Sequence, residues 1–178
     1  MISLDRSVAL LGLRGAGKST LGREIASSLK VNCIDMDQIL IEEKGLSVPE
    51  WVEKEGWESF RDAEAKLLKK ISRRKPCIVS TGGGVITKDS SISLLQKSFL
   101  SIYIHWSVPV LVDRIKGDTN RPSLKPGGNI YSEVESLYKE RDPVYTSCGK
   151  TLRLKKNMKI GKTVSRLLDI IYHNSEEL

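Results

Sequence analysis

Short apolar runs alternate along this chain with stretches whose hydrophobic residues recur at helical spacing. Val8-Ala9-Leu10-Leu11, Val31 to Ile34, Cys77 to Thr81 and Leu100 to Trp106 read as buried strands. Between the first two, Leu21, Ile25 and Leu29 recur every four residues, which places them on one helix face. Phe60, Leu67, Leu68 and Ile71 repeat the pattern before the third run, and Leu111 and Ile115 do so after the fourth. A last strand is expected at Thr151 to Leu154, ahead of a helix carrying Val164, Leu167, Leu168 and Ile171. Alternation of this kind predicts an α/β fold, a parallel sheet covered by helices on both faces.

Two segments depart from the pattern. Residues 36–61 insert extra helical material between the second and third strands. Residues 117–130, from Gly117 to Ile130, are rich in turn formers and lack apolar periodicity, as expected of a functional loop or lid inside a compact domain.

Composition narrows the class. With 178 residues, 39% hydrophobic and 29% charged, the chain suits one domain over 1–178 and excludes a collagen-like or disordered polymer. No apolar run approaches the roughly 20 residues of a membrane helix, and Val8 to Leu13 lacks the basic flank of a signal peptide. A soluble, cytoplasmic protein with no membrane partner is expected. The formal charge of +7 comes from scattered basic residues, densest at Lys69 to Lys75 and Lys150 to Lys162. No aromatics interleave these clusters to stack bases, so a solvated surface is the reading rather than a nucleic-acid partner. Cys33, Cys77 and Cys148 form no C-x-x-C, and His105 and His173 stand apart, so no metal cluster is readable; Cys33 and Cys77 are expected as small core residues and the two histidines in structural or surface roles.

The chemistry begins at Gly12-Leu13-Arg14-Gly15-Ala16-Gly17-Lys18-Ser19, which fits G-x-x-x-x-G-K-[ST] and lies between a strand and an amphipathic helix. Glycines let backbone N–H groups turn inward around phosphate oxygens, and the helix N-terminus adds partial positive charge there. Lys18 is expected at the β/γ-phosphates and the Ser19 hydroxyl on Mg²⁺, so the co-substrate is a nucleoside triphosphate.

Three further features point to a small-molecule kinase. Asp35-Met36-Asp37 closes the second strand, and carboxylates at i and i+2 of an extended segment face the same side, toward the ligand crevice. One would support Mg²⁺ and the other take a hydrogen bond or proton from an acceptor hydroxyl. The alternative is a helix N-cap aspartate with a solvated neighbour. Ser80-Thr81-Gly82-Gly83-Gly84 exposes bare backbone where the third strand meets a helix, as ligand contact or as plain loop. Arg61, Arg121 and Arg141 stand at plausible anion sites, with Glu64 three residues after Arg61 to orient it, although any one arginine alone is more often a surface residue.

Taken together, Gly12 to Thr20, Asp35-x-Asp37, Phe60-Arg61, Ser80 to Gly84, Arg121-Pro122 and Tyr138-x-x-Arg141-x-Pro143-x-Tyr145 make the chain resemble the shikimate kinase family over residues 8–146. The resemblance implies a three-layer α/β/α P-loop kinase fold with a five-stranded parallel sheet, a substrate-binding insertion at 36–61 and a lid at 117–130. It implies transfer of the ATP γ-phosphate to the 3-hydroxyl of shikimate, on the route to chorismate and the aromatic amino acids. Carried over, Asp37 contacts the ring hydroxyls as base or orienting group, and Arg61 and Arg141 clamp the shikimate carboxylate. The backbone of Gly82, Gly83 and Gly84 lines that pocket, and Asp35 supports Mg²⁺ beside Ser19. Gly12, Gly15, Ala16, Gly17, Lys18, Ser19 and Thr20 hold the nucleotide phosphates, Arg121 closes over them from the lid, and Arg114 lies along adenine. Asp37, Lys18 and Arg121 form the implied catalytic set. Lys155 to Lys159 stand where the family forms a loop on the adenine side.

A gluconate kinase-like enzyme of the same fold is the nearest alternative, and the Gly82–Gly84 run with Arg61 and Arg141 favours a ring acid over it. A nucleoside monophosphate kinase is disfavoured for want of an Asp-Gly-x-Pro-Arg element. A catalytically silent regulatory module would be expected to lack Lys18, Asp37 or Arg121, and all three are present. A monomer is expected, since no exposed apolar seam is readable.

Overall fold

The computed structural model describes residues 4–116 and 129–175. Five strands, β1 Val8–Leu11, β2 Cys33–Asp35, β3 Ile78–Ser80, β4 Leu100–His105 and β5 Lys150–Arg153, form one parallel sheet in the order β2-β3-β1-β4-β5. β1 lies at the centre with every residue fully buried, which is why its sequence is an unbroken apolar run instead of an alternation.

The helices are α1 Lys18–Leu29, α2 Met36–Lys44, α3 Val48–Ile71, α4 Asp89–Ser98, α5 Val108–Ile115, α6 Ile130–Cys148 and α7 Ile160–Ser175. Crossovers between parallel strands are right-handed, so the direction of travel across the sheet decides which face each helix covers. The β1-to-β2 step runs one way and puts α1 on one face, where α7 packs against it. The β2-to-β3, β3-to-β4 and β4-to-β5 steps run the other way, and α3, α4 and α6 accordingly gather on the opposite face. The result is a three-layer α/β/α arrangement.

The predicted helix faces are the buried ones. Leu21, Ile25 and Leu29 of α1 are buried, as are Phe60, Leu67, Leu68 and Ile71 of α3, Leu111 and Ile115 of α5, and Leu167 and Ile171 of α7. The inserted material is α2 with the first half of α3. Ser47 opens α3 with a reciprocal Ser47/Glu50 capping box. Gly56, at φ 80°, breaks α3 in a conformation open to glycine at little cost. Two helices lacked a clear periodic signal. α4 is short, and α6 buries only Val134, Tyr145 and Cys148 and carries Pro143 inside it. Cys77 and Cys148 are buried free thiols, Cys33 is half-buried on β2, and His173 is exposed near the end of α7. Among the described residues no helix is long and apolar enough to cross a membrane.

At the α6–β5 junction, a Cβ on Gly149 would run into the backbone carbonyl of Ser101 on β4. Backbone of a buried strand cannot step aside as a side-chain tip can. Gly149→Ala is therefore expected to destabilise the protein by about 2 kcal/mol, a fall in melting temperature of roughly 4–8 °C at this chain length. An unchanged thermal melt would show that β4 and β5 separate at little cost.

Candidate active site

Register brings the carboxyl ends of β1, β2 and β3 to one edge of the sheet. Leu10 and Asp35 both pair with Ser80, and β1 lies between β3 and β4 where the chain changes direction across the sheet. A crevice opens at such a point, and the segments that leave these strands line it.

The first segment is the glycine-rich turn into α1. Gly17 caps the helix at φ 87°, and a Cβ on Gly12 would stand 2.9 Å from the Ile104 carbonyl oxygen, so neither position suits a larger residue. Lys18 is nearly buried. Its Nζ donates to the carbonyls of Gly12 (2.9 Å) and Leu13 (3.1 Å), folding the ammonium across the loop at the positive end of α1. Ser19 Oγ lies 3.2 Å from Ser80 Oγ, and Asp35 is the register neighbour of Ser80. Two hydroxyls thus meet at the phosphate end of the crevice, with Asp35 on the neighbouring strand. Among the described residues no cluster of three or more His, Cys, Asp or Glu could hold a metal by itself. That donor set fits Mg²⁺, which keeps several waters and takes one or two protein oxygens together with substrate phosphates.

Beyond the loop lies a cavity of about 150 Å³, lined in part by Thr20, Trp106, Arg114, Met158 and Ile160. Trp106 Nε1 donates to the Ala16 carbonyl (3.1 Å), and the Arg114 guanidinium stands 4.7 Å from the Trp106 ring centre. Lys156 pairs with Asp113 at 2.8 Å, tying the loop after β5 to α5. The slot mixes apolar side chains (Trp106, Met158 and Ile160) with the cations Arg114 and Lys156 and the hydroxyl of Thr20, a lining that suits a flat heteroaromatic ring with polar edges.

The other half of the crevice is built around Gly82–Gly84. A Cβ on Gly82 would collide with the Glu64 carboxylate and come within 2.9 Å of Asp37 Oδ1, and one on Gly84 would fall on the Arg61 guanidinium. Bare backbone is what lets these three charged groups close in. Arg61 forms an ion pair with Glu64 one helical turn on, and its guanidinium carbon lies 4.9 Å from the Trp57 ring centre. Glu64 is only 1% exposed, and its second oxygen, Oε1, has no hydrogen-bond partner. Burial pushes this carboxyl up from its ordinary value, while Arg61, then Arg141 and Lys18, pull against the shift. Arg141 on α6 donates from Nη1 to the Gly83 carbonyl (3.0 Å), an oxygen that also accepts from the Tyr145 hydroxyl. Arg141 Nε makes no hydrogen bond, although it lies 3.5 Å from the Glu140 carboxylate. Buried donors and acceptors left open in this way are costly unless a polar ligand completes them.

The expectation for Asp35 and Asp37 needs a correction of geometry. They are not two like-facing residues of a strand. β2 ends at Asp35, whose side chain caps α2 by accepting from the Gln38 N–H (3.4 Å), and Asp37 belongs to the first turn of that helix. The capping tendency of aspartate ends the strand before the second carboxylate. Asp37 still reaches the crevice, from the helix, beside Gly82. Arg121 and residues 117–128 of the expected lid lie outside the described residues. Trp106 and Ile160 are not foreseen at the site by the sequence, whereas Met158 falls in the Lys155–Lys159 stretch expected on the adenine side and Tyr145 enters only as part of the Tyr138–Tyr145 motif, with no role of its own. Arg141 and Tyr145 are four apart, a spacing that puts them on one helix face, whereas no local pattern marks Trp106.

Comparison with known proteins follows the same lines. Residues 14–172 match the family described as shikimate kinase. A shikimate kinase of Enterococcus faecalis is 36% identical over 144 residues, covering 81% of this chain and 85% of that protein. One from Neisseria meningitidis is 35% identical over 145 residues, covering 82% and 85%. Among solved structures, a shikimate kinase from Acinetobacter baumannii in complex with shikimate superposes with a TM-score of 0.88 at 29% identity, covering 97% and 96% of the two chains. A gluconokinase from Sinorhizobium meliloti reaches a TM-score of 0.61 at 19% identity, a likeness of fold alone.

Proposed function

Because the chain belongs to the shikimate kinase family, we propose that it transfers the γ-phosphoryl group of ATP to the 3-hydroxyl of shikimate, giving shikimate 3-phosphate and ADP. The observation that supports this reading best is the meeting of Arg61, Arg141 and Asp37 at the Gly82–Gly84 turn, opposite the phosphate loop. Two planar guanidinium groups suit a carboxylate, and a carboxylate beside them suits ring hydroxyls.

In this reading the loop from Gly12 to Thr20 cradles the phosphates, with Lys18 leaving the carbonyls of Gly12 and Leu13 for the β/γ-phosphate oxygens. Trp106, Arg114, Met158 and Ile160 take the adenine ring in the slot they line. Ser19 and Asp35 hold Mg²⁺, which supplies charge neutralisation at the phosphates. Arg61 and Arg141 grip the shikimate carboxylate, and Glu64 holds Arg61 in place. Asp37 orients the acceptor hydroxyl and takes its proton, while Arg121 from the lid stabilises the transferring group. Phosphoryl transfer asks mainly for alignment and charge stabilisation, and this division of labour supplies both. The protein works as one unit over 1–178, as a cytoplasmic monomer with small-molecule partners only.

Coupled ADP release with Mg·ATP and shikimate, quinate, gluconate or no acceptor tests the reading. Stimulation by shikimate alone is expected. Stimulation by gluconate alone would reassign the acceptor, and nucleotide binding with no stimulated turnover would leave a silent binding module.

A further inference from the structure

Arg141 sits in a stretch of helix that its own sequence weakens. Pro143 follows two residues later inside α6; it has no N–H to give to the carbonyl four residues back, and its ring crowds that carbonyl. A guanidinium displaced by 1 Å makes a poor clamp, so something other than the helix ladder must hold this part of α6 in place.

The side chains on the sheet side of α6 provide that hold. Tyr103 of β4 donates its hydroxyl to Asp142 Oδ1 at 3.0 Å, and His105 Nε2 lies 3.8 Å from the same oxygen. His105 Nε2 is 2.8 Å from the Tyr138 hydroxyl, one turn back along α6. The Tyr103 ring stacks on Tyr145 with centres 4.8 Å apart, and the Tyr145 hydroxyl meets Arg141 on the Gly83 carbonyl. Asp142 is thus the acid that joins the end of β4 to α6 among the described residues, and its neighbour Arg141 reaches the Gly83 carbonyl in the crevice. Arg153 of β5 is the remaining charge felt at this cluster.

We propose that Asp142 is a positioning residue for the acceptor clamp: anchored to Tyr103 and flanked by His105 and Tyr138, it sets the placement of α6 around Pro143, and so the reach of Arg141 and Tyr145 to Gly83. This rests on the shikimate reading of the site and deepens it, because it makes acceptor affinity depend on a residue that touches neither substrate. The nucleotide slot is lined from α1, Trp106 just after β4, α5 and the loop after β5, and its lining includes none of Tyr103, His105, Tyr138 or Asp142.

The test is steady-state kinetics of the full chain, with thermal melts in parallel. Asp142→Ala is expected to raise the KM for shikimate about tenfold with the KM for ATP and kcat within about twofold. Asp142→Asn keeps an acceptor for Tyr103 and should recover most of that loss, to within about threefold of wild type. Tyr103→Phe keeps the stack on Tyr145 and removes only the donor, and should weaken shikimate by about threefold. A wild-type shikimate KM in Asp142→Ala, or an equal rise in both KM values, overturns the inference. If Asp142→Ala does not fold, the Asp142→Asn and Tyr103→Phe pair decides, since a wild-type shikimate KM in both overturns it too. Wild-type protein assayed alongside separates the two levels: no shikimate-stimulated turnover there sinks the reading of the site and this inference with it, whereas normal wild-type turnover with indifferent variants sinks the inference alone.

Discussion

Asp37→Asn should lower kcat by about 10²–10⁴-fold, the range expected when a group that takes a proton in the transition state is removed. The substitution is nearly isosteric, so the first turn of α2 and the packing of Asp37 against Gly82 are retained. What changes is chemistry: an amide still accepts a hydrogen bond from the acceptor hydroxyl but offers neither its charge nor a site for the proton. The nucleotide contacts come from other segments, so the affinity for ATP should stay within about twofold. Single-turnover phosphorylation and equilibrium ATP binding on the same preparation read both quantities. Near-normal turnover would remove Asp37 from the proposed chemistry.

Gly84→Ala should act on binding instead. The added methyl would occupy the place of the Arg61 guanidinium. That group ends a flexible side chain, so the arginine can swing away without disrupting the backbone, but Glu64 is then left buried without its cation, and the melting temperature should fall by about 4 °C or more, the equivalent of roughly 2 kcal/mol. The cost falls on the clamp as well. Glu64 loses the cation beside it while remaining buried, and the acceptor carboxylate loses one of its two guanidinium partners. Losing one partner of a buried charge pair costs about 2–5 kcal/mol, so the KM for shikimate should rise on the order of 30-fold or more. Titration of shikimate against a melt series checks both halves. A large fall in melting temperature with unchanged KM would mean that Gly84 serves packing and not the clamp.

The two variants expose how differently parts of the site could be read. The phosphate loop is legible because its chemistry is local: Gly12 to Ser19 are consecutive, and their backbone builds the anion site without help from elsewhere. The Arg61–Glu64 pair is legible for the same reason, since one helical turn fixes it. Asp37 was found by its motif but placed on the wrong element, because whether Asp35 continues a strand or caps a helix is a near-even local choice. Packing of α2 settles it.

Other bonds that assemble the site span long separations. Arg141 reaches Gly83 across 58 residues, His105 meets Tyr138 across 33, and Trp106 bonds Ala16 across 90. No periodicity carries such information. By itself the sequence determined the strands, the helix faces, the phosphate loop and the charged groups available, because backbone preference and hydrophobic period act over a few residues. Only the tertiary structure decided which of those groups meet, since right-handed crossovers and the register of β1, β2 and β3 bring distant segments to one edge of the sheet, and close packing there leaves room for glycine alone at Gly82 and Gly84.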